Sequence, residues 1–184
     1  MIVLLLIVVL GLAAAAWAVA VYNNLVQLRE NVRNGWSQID VQLKRRHDLV
    51  PNLVETAKGY LQHESQTLEN VIKARQQAVD ASSLKDRQEA ENFLSSTLRS
   101  LFAVSENYPA LKADQQMIRL HEEITSTENK IAFARQYYND EVNRLNVAAQ
   151  SFPDNFIADA FKFEKGEFFQ IETPAEKEAP PVKF

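Results

Sequence analysis

MIVLLLIVVLGLAAAAWAVAVY, residues 1–22, carries no charged side chain, and the first charged residue of the chain is Arg29. A helix needs about 20 mainly apolar residues to cross the hydrocarbon core of a bilayer, and it tolerates a glycine such as Gly11. The stretch therefore predicts a transmembrane anchor over 1–22 that contacts membrane lipid. A cleaved signal peptide is the alternative, since Ala18-Val19-Ala20 resembles a cleavage site. The stretch lacks the basic start of a signal peptide, however, so the anchor is the favoured interpretation.

The charged residues that follow the apolar stretch are mainly basic. Residues 29–46 contain five basic and two acidic side chains, a net charge of +3. Because basic flanks are retained in the cytoplasm, this bias predicts that the bundle lies in the cytoplasm and the N-terminus outside. The whole chain has a net charge of −4, which argues against nucleic acid as a partner.

Helical periodicity dominates the rest of the chain. Only Gly35, Gly59 and Gly166 lie beyond the anchor, and so few glycines disfavour a β architecture. Apolar residues instead recur every seven residues in two long rows. The first row contains Leu25, Val32, Ile39, Leu53 and Tyr60, with Arg46 as its charged member, and the second contains Met117, Ile124, Ile131, Tyr138, Leu145 and Phe152. Such heptads predict helices that pack side by side in the manner of a coiled coil.

Two shorter amphipathic stretches, about 64–80 and about 86–106, complete the helical pattern, and Ala81-Ser82-Ser83 between them is predicted to form a turn. Tyr108-Pro109 is predicted to end the third helix, because proline disfavours a helical residue before it. Pro51 lies inside the first pattern, whose phase continues across it, so we expect a kink rather than a break. The predicted fold class is all-α, with the N-terminal transmembrane helix continuous with a long antiparallel four-helix bundle over 23–151.

The C-terminal segment, residues 152–184, interleaves phenylalanine with charge. It is too aromatic for a solvated disordered tail. One interpretation is a Phe-rich strap that packs its rings onto the bundle. The other is a tail that docks on a partner protein, with Phe161, Phe163, Phe168 and Phe169 as the candidate contact residues.

The sequence contains no recognisable motif for catalysis, metal binding or a cofactor. His47, His63 and His121 are its three histidines, and none lies in a zinc or di-iron motif. Cysteine is absent, and no glycine-rich phosphate loop is present. His121-Glu122-Glu123 points neighbouring side chains apart on a helix, so a solvated face is the favoured interpretation. We therefore predict no catalytic residue, no metal and no cofactor.

Arg46 is the one charge on the first apolar row. If the first and fourth helices are antiparallel and level at their ends, residue 25 lies near 148, and the position opposite Arg46 is about 127. Glu128 is the nearest acidic residue, and the planar fork of arginine suits a carboxylate. An interhelical ion pair between Arg46 and Glu128 is therefore predicted.

Three long strings resemble the LemA family. They are YNNLVQLRENVRNGWSQIDVQLKRRHDLVPNLVETAKGYLQHE (22–64), LKADQQMIRLHEEITSTENKIAFARQYYNDEVNRLN (111–146) and FPDNFIADAFKFEKGEFF (152–169). The resemblance implies a bacterial inner-membrane protein with one N-terminal membrane helix and a long helical bundle, and it implies no particular chemistry. Some members resemble magnetosome membrane proteins, and some are encoded near membrane zinc proteases. The chain departs from the family pattern at Gly35, where alanine is usual, and at His121, where glutamine is common.

The favoured functional hypothesis is a non-enzymatic, membrane-anchored scaffold or adaptor in envelope or membrane-protein quality control. Its partner would be a membrane protease or another membrane protein. A homo-oligomeric structural membrane assembly is the first alternative, and an apolar stripe left exposed after packing would favour it. An enzyme with an unrecognised site is the second, and a strongly perturbed titratable cluster in a pocket would favour that.

Overall fold

A computed structural model of the chain describes residues 1–169, in which the secondary structure is helical and no strand is found. The helices are α1 (Ile2–Lys58), α2 (Ser65–Asp80), α3 (Leu84–Ser105), α4 (Pro109–Lys112), α5 (Gln115–Gln150) and α6 (Asn155–Ala160). The predicted all-α class is confirmed, and the short helices α4 and α6 are additions to the four predicted ones. Residues 170–184 of the predicted strap lie outside the described residues.

α1 is a single helix of 57 residues. It contains both the predicted anchor and the first predicted bundle helix, so the expected continuity between them is confirmed. Pro51 lies inside α1 on an exposed position, and the helix continues beyond it to Lys58. The proline is therefore accommodated within the helix and does not end it.

Side-chain caps explain where two of the other helices begin. The hydroxyl of Ser83 accepts a hydrogen bond from the backbone N–H of Asp86 at 3.0 Å, which caps α3 after the predicted turn at 81–83. Asp114 precedes α5, and its carboxylate accepts from the backbone N–H groups of Met117 and Gln116, each at 2.9 Å. The bond from Met117 is the main reason why the pKa of Asp114 lies below its ordinary value.

The chain forms two compact units, and α1 and α5 contribute residues to both. The first unit contains residues 1–41 and 131–168, and the second contains residues 42–130 together with Phe169. In the second unit, all four long helices supply buried apolar side chains to one core. The core includes Val50, Leu53 and Ala57 from α1, Leu68, Val71 and Ala74 from α2, Leu94, Leu98 and Leu101 from α3, and Met117, Leu120 and Ile124 from α5. This unit is the four-helix part of the predicted bundle.

In the first unit, α1 and α5 pack as an antiparallel pair. Asn31 donates to the Glu141 carboxylate at 3.1 Å, and four residues further along α1 Gly35 lies against Tyr138. A Cβ atom at Gly35 would stand 3.1 Å from the backbone Cα of Tyr138, so the missing side chain permits this close approach. Nearer the start of α1, Val21 and Leu25 share a buried cluster with Leu145 and Ala149 of α5 and with Ala158 of α6.

The α5 heptad row is buried along most of its length. Met117, Ile124, Ile131, Tyr138 and Leu145 are all buried, as their spacing predicts. Phe152 is an exception, with 81% of its surface exposed. The reason is that α5 ends at Gln150, so the helical phase no longer sets the direction of the Phe152 side chain.

Candidate functional site

A buried polar cluster lies inside the second unit, and Arg46 is at its centre. Arg46 is fully buried on the apolar row of α1. Its Nη2 atom donates to Glu91 Oε2, and its Nη1 atom donates to Glu128 Oε1 at 2.5 Å and to the Ser95 hydroxyl at 2.7 Å. Ser95 in turn donates to Glu128 Oε1 at 3.1 Å. The guanidinium of α1 is thereby joined to α3 through Glu91 and to α5 through Glu128.

Glu91 is the fully buried carboxylate of this cluster. Besides Arg46, it accepts a hydrogen bond from His47 Nε2 to its Oε1 at 2.8 Å. Burial alone would raise the pKa of Glu91, but the hydrogen bond from His47 and the charge of Arg46 outweigh it, and the net pKa is lowered. Glu91 is therefore ionised at neutral pH, and a buried ion of this kind depends on its partners.

The structure brings the predicted partners Arg46 and Glu128 together, and it adds Glu91, which the sequence reasoning missed. Glu128 sits at the edge, with 34% of its side chain exposed, whereas Glu91 has none. A signal for Glu91 was present in the sequence. It precedes Leu94, Leu98 and Leu101 at helical spacing, so it is a charged residue on an apolar face, as Arg46 is. Two such residues of opposite charge are candidates to pair with each other.

A second arginine, Arg75, donates a hydrogen bond to a backbone carbonyl next to the cluster. Pro51 has no N–H, so the carbonyl of His47, four residues earlier, loses its usual helical donor. Arg75 on α2 supplies one instead, because its Nε atom donates to the His47 carbonyl at 2.7 Å. The proline in α1 thus creates a site that fixes α2 against α1.

We expect Arg75→Met to lower the free energy of unfolding by about 1–3 kcal/mol, since it leaves the His47 carbonyl without a donor. In a Pro51→Ala background the alanine N–H satisfies that carbonyl, and the loss should fall below about 1 kcal/mol. Chemical denaturation followed by circular dichroism measures both values. Lys73→Met, on an exposed position of the same helix, is the control. Equal losses in the two backgrounds would contradict this role of Arg75.

An open groove of about 340 Å³ lies between α3 and α5 and reaches the edge of the cluster. Ser95 and Glu128 line it. Phe102 on α3 and His121 on α5 also line it, with stacked rings whose centroids are 4.0 Å apart. His121 is thus held by an aromatic neighbour. Among residues 1–169, no group of three or more His, Asp or Glu residues could hold a metal ion. The absence of metal and of catalytic residues stays a prediction.

The four candidate phenylalanines of the C-terminal segment have different environments. The Phe163 ring lies 5.9 Å from that of Tyr22 and 5.4 Å from the guanidinium carbon of Arg29. Phe169 is buried, while Phe161 and Phe168 are exposed. The residues between them follow α5, because Asn146 exchanges two hydrogen bonds with Gly166. Residues 163–167 therefore form a strap on the first unit.

The apolar start of α1 is the remaining functional feature. In the described part of the chain, α1 is the one helix long and apolar enough to cross a bilayer by length and composition. None of its most apolar stretch is buried by the rest of the protein. An uncovered apolar helix of this length is typical of a membrane-spanning segment.

Three magnetosome proteins are similar in sequence to the chain. Magnetosome protein MamQ 2 and Magnetosome protein MamQ 1 of Paramagnetospirillum magneticum are each 25% identical to the chain over 180 residues, which covers 84% of this chain and 66% of theirs. Magnetosome protein MamQ of Magnetospirillum gryphiswaldense is 23% identical over the same shares. The chain thus spans slightly less than two thirds of the length of these relatives. The family model that matches is described as the LemA family, and it covers residues 35–184. An uncovered apolar helix, a helical bundle and this match lead to one conclusion: the chain belongs to the LemA family.

Proposed function

We propose that this membrane protein is a non-enzymatic scaffold that presents a helical bundle to a membrane-protein partner at the bacterial inner membrane. The observation that carries the proposal is the continuity of α1. One unbroken helix supplies the uncovered apolar segment and also Val50, Leu53 and Ala57 in the core of the second unit. A partner that binds the second unit would therefore be held at the membrane, because that unit shares α1 with the apolar segment.

The proposed orientation places the bundle in the cytoplasm and the N-terminus outside. It is supported by the net charge of +3 over residues 29–46, which follow the apolar segment. Basic residues close to a span favour the cytoplasmic side.

A groove on the second unit is the surface proposed for the partner. It lies between the end of α1 and the start of α2 and encloses about 480 Å³. Its floor is apolar, with Val54, Leu61 and Leu68, and Ile72 is half-exposed at its edge. An amphipathic helix of a membrane protease or another membrane protein is the kind of segment that fits an apolar groove between two helices.

The buried cluster supports a structural role for the polar core in preference to an enzyme. Each charged group in it is already bound by another, since Glu91 is held by Arg46 and His47. A carboxylate that is ionised and fully occupied is a poor general acid or base.

A photo-crosslinking amino acid tests the scaffold and its orientation together. It is placed at Ile72 in the intact chain, and at Val79 as the control. Val79 lies two turns further along α2, is equally half-exposed, and does not line the groove. After irradiation of spheroplasts, the Ile72 variant should give an adduct with another membrane protein, and the Val79 variant should not. The adduct should survive protease added outside the spheroplasts.

Each other outcome assigns a different function or topology. An Ile72 adduct of twice the protein's own mass, with no second protein in it, would support the homo-oligomeric assembly. Digestion of the bundle by external protease would reverse the orientation. Equal adducts at Ile72 and Val79 would contradict the groove as the binding surface.

A further inference from the structure

Three phenylalanine side chains in the first unit are exposed close to one another in sequence. Phe152, Phe156 and Phe161 have 81%, 61% and 59% of their surface exposed. The rings of Phe152 and Phe156 also contact each other, with centroids 5.8 Å apart. Soluble surfaces rarely leave large apolar side chains clustered in this way, so such a group indicates a contact with something else.

The end of the apolar segment of α1 lies beside one of these rings, Phe161. Residues 2–20 of a helix extend over roughly 28 Å, close to the hydrocarbon thickness of about 30 Å, so the bilayer surface falls near Val21 and Tyr22. The Phe161 ring is 4.8 Å from that of Tyr22. Ala149, near the end of α5, shares a buried cluster with Val21. Because α5 runs antiparallel to α1, the chain after Ala149 continues towards the bilayer, and Phe152 follows three residues later.

The segment that carries the three rings is held firmly on α1. α6 packs Ile157 and Ala158 into the cluster around Val21 and Leu25. After α6 the chain turns back through Lys162, which has a φ of 55°. The backbone N–H of Phe163 donates to the Ala158 carbonyl at 2.9 Å, and that of Lys162 donates to the Asp159 carbonyl at 3.3 Å. These two bonds form a Schellman ending, which fixes the turn between α6 and the strap.

We propose that Phe152, Phe156 and Phe161 form an aromatic foot that inserts into the boundary between headgroups and acyl chains of the same bilayer that α1 crosses. The proposal rests on the membrane attachment of α1 and adds a second lipid contact to it. Lipid is the expected contact, because the Phe161 ring lies beside Tyr22, where the apolar segment of α1 ends. Asp154 and Asp159 flank the rings and would repel anionic headgroups, so the contact is apolar and needs no anionic lipid.

Lipid bromination measures this contact directly. The full chain is reconstituted in phosphatidylcholine vesicles with or without bromine on the acyl chains. Trp17 and Trp36 are first replaced by phenylalanine, and Phe156→Trp then supplies the one tryptophan, which is excited selectively. Phe133→Trp in the same background is the matched control, because Phe133 is equally exposed (72%). It lies on α5 about 25 Å before the end of that helix, away from the proposed foot.

Brominated chains should reduce the emission of the Phe156→Trp variant by about twofold or more and leave that of Phe133→Trp unchanged. Phe152→Trp should behave like Phe156→Trp, and circular dichroism verifies that each variant is folded. Equal accessibility of the Phe156→Trp and Phe133→Trp variants to aqueous acrylamide would overturn the foot. Protection from acrylamide without quenching by bromine would overturn it too, and would indicate a second copy of the chain as the occupant.

A chain that keeps Trp17 and loses only Trp36 separates this proposal from the attachment itself. Trp17 lies within the apolar segment, so bromine should quench it whenever α1 is inserted. Quenching of Trp17 without quenching of the Phe156→Trp variant refutes the foot alone. If bromine quenches neither Trp17 nor the Phe156→Trp variant, α1 is not inserted, and the scaffold proposed above is refuted as well.

Discussion

Arg46→Met should lower the free energy of unfolding by about 3–5 kcal/mol, the largest effect we expect from a single substitution. Methionine fills much of the same space, so the loss comes from the charges that remain. Glu91 is fully buried and would keep the hydrogen bond from His47 but lose the one from Arg46. An ionised carboxylate that is buried without its arginine destabilises the folded state, and protonation of Glu91 would lessen this loss.

Two further variants distinguish a desolvated ion pair from a general effect of losing an arginine. Arg45→Met removes a neighbouring charge that is half-exposed and lies 3.7 Å from Glu123, so its effect should stay below about 1 kcal/mol. Arg46→Met combined with Glu91→Leu removes both buried charges and should recover at least about half of the loss. Equal stabilities of Arg46→Met and Arg45→Met in urea unfolding would contradict the assignment of the buried cluster.

Gln27→Pro is expected to cost about 3 kcal/mol or more, the second large effect. Gln27 lies on an exposed position of α1 in the first unit. A proline there removes the N–H that bonds the Asn23 carbonyl, and its ring clashes with that carbonyl. At Pro51 part of this cost is offset, because the His47 carbonyl that loses its helical donor accepts a hydrogen bond from Arg75.

Gln27→Ala is the matched control for the proline variant. Alanine keeps the backbone N–H and favours the helix, so its effect should be close to zero. Thermal unfolding in phosphatidylcholine nanodiscs compares the two variants with the parent chain. A proline variant as stable as the alanine variant would mean that α1 is already interrupted near residue 27.

Much of the fold follows from periodicity in the sequence. The seven-residue rows predicted the buried faces of α1 and α5, and an antiparallel register placed Glu128 opposite Arg46, where the structure has it. Ala81 to Ser83 was recognisable as a turn, and Ser83 caps α3. These features are local or depend on a single helix pair, so spacing alone specifies them.

The missed features depend on three-dimensional packing. Glu91 needs the side-by-side placement of α1 and α3, which no heptad count supplies. The bond from Arg75 to the His47 carbonyl becomes visible only when α2 is packed on α1 next to Pro51. The exposure of Phe152 depends on the end of α5 at Gln150, two residues before it. The end of α5 at Gln150 and the contacts that Glu91 and Arg75 make across helices therefore do not follow from spacing along the sequence.

We propose that α1 passes unbroken from the bilayer into the bundle, and a distance measurement within α1 tests this continuity most directly. The chain has no cysteine, so cysteines at the exposed positions Ala16 and Asn34 take spin labels at those sites alone. The two positions are 18 residues apart, which is five helical turns on one face and about 27 Å. Double electron–electron resonance in phosphatidylcholine vesicles should give one narrow distribution near that distance. A broad distribution, or a main population at a clearly shorter distance, would show a hinge at the membrane surface and contradict the claim.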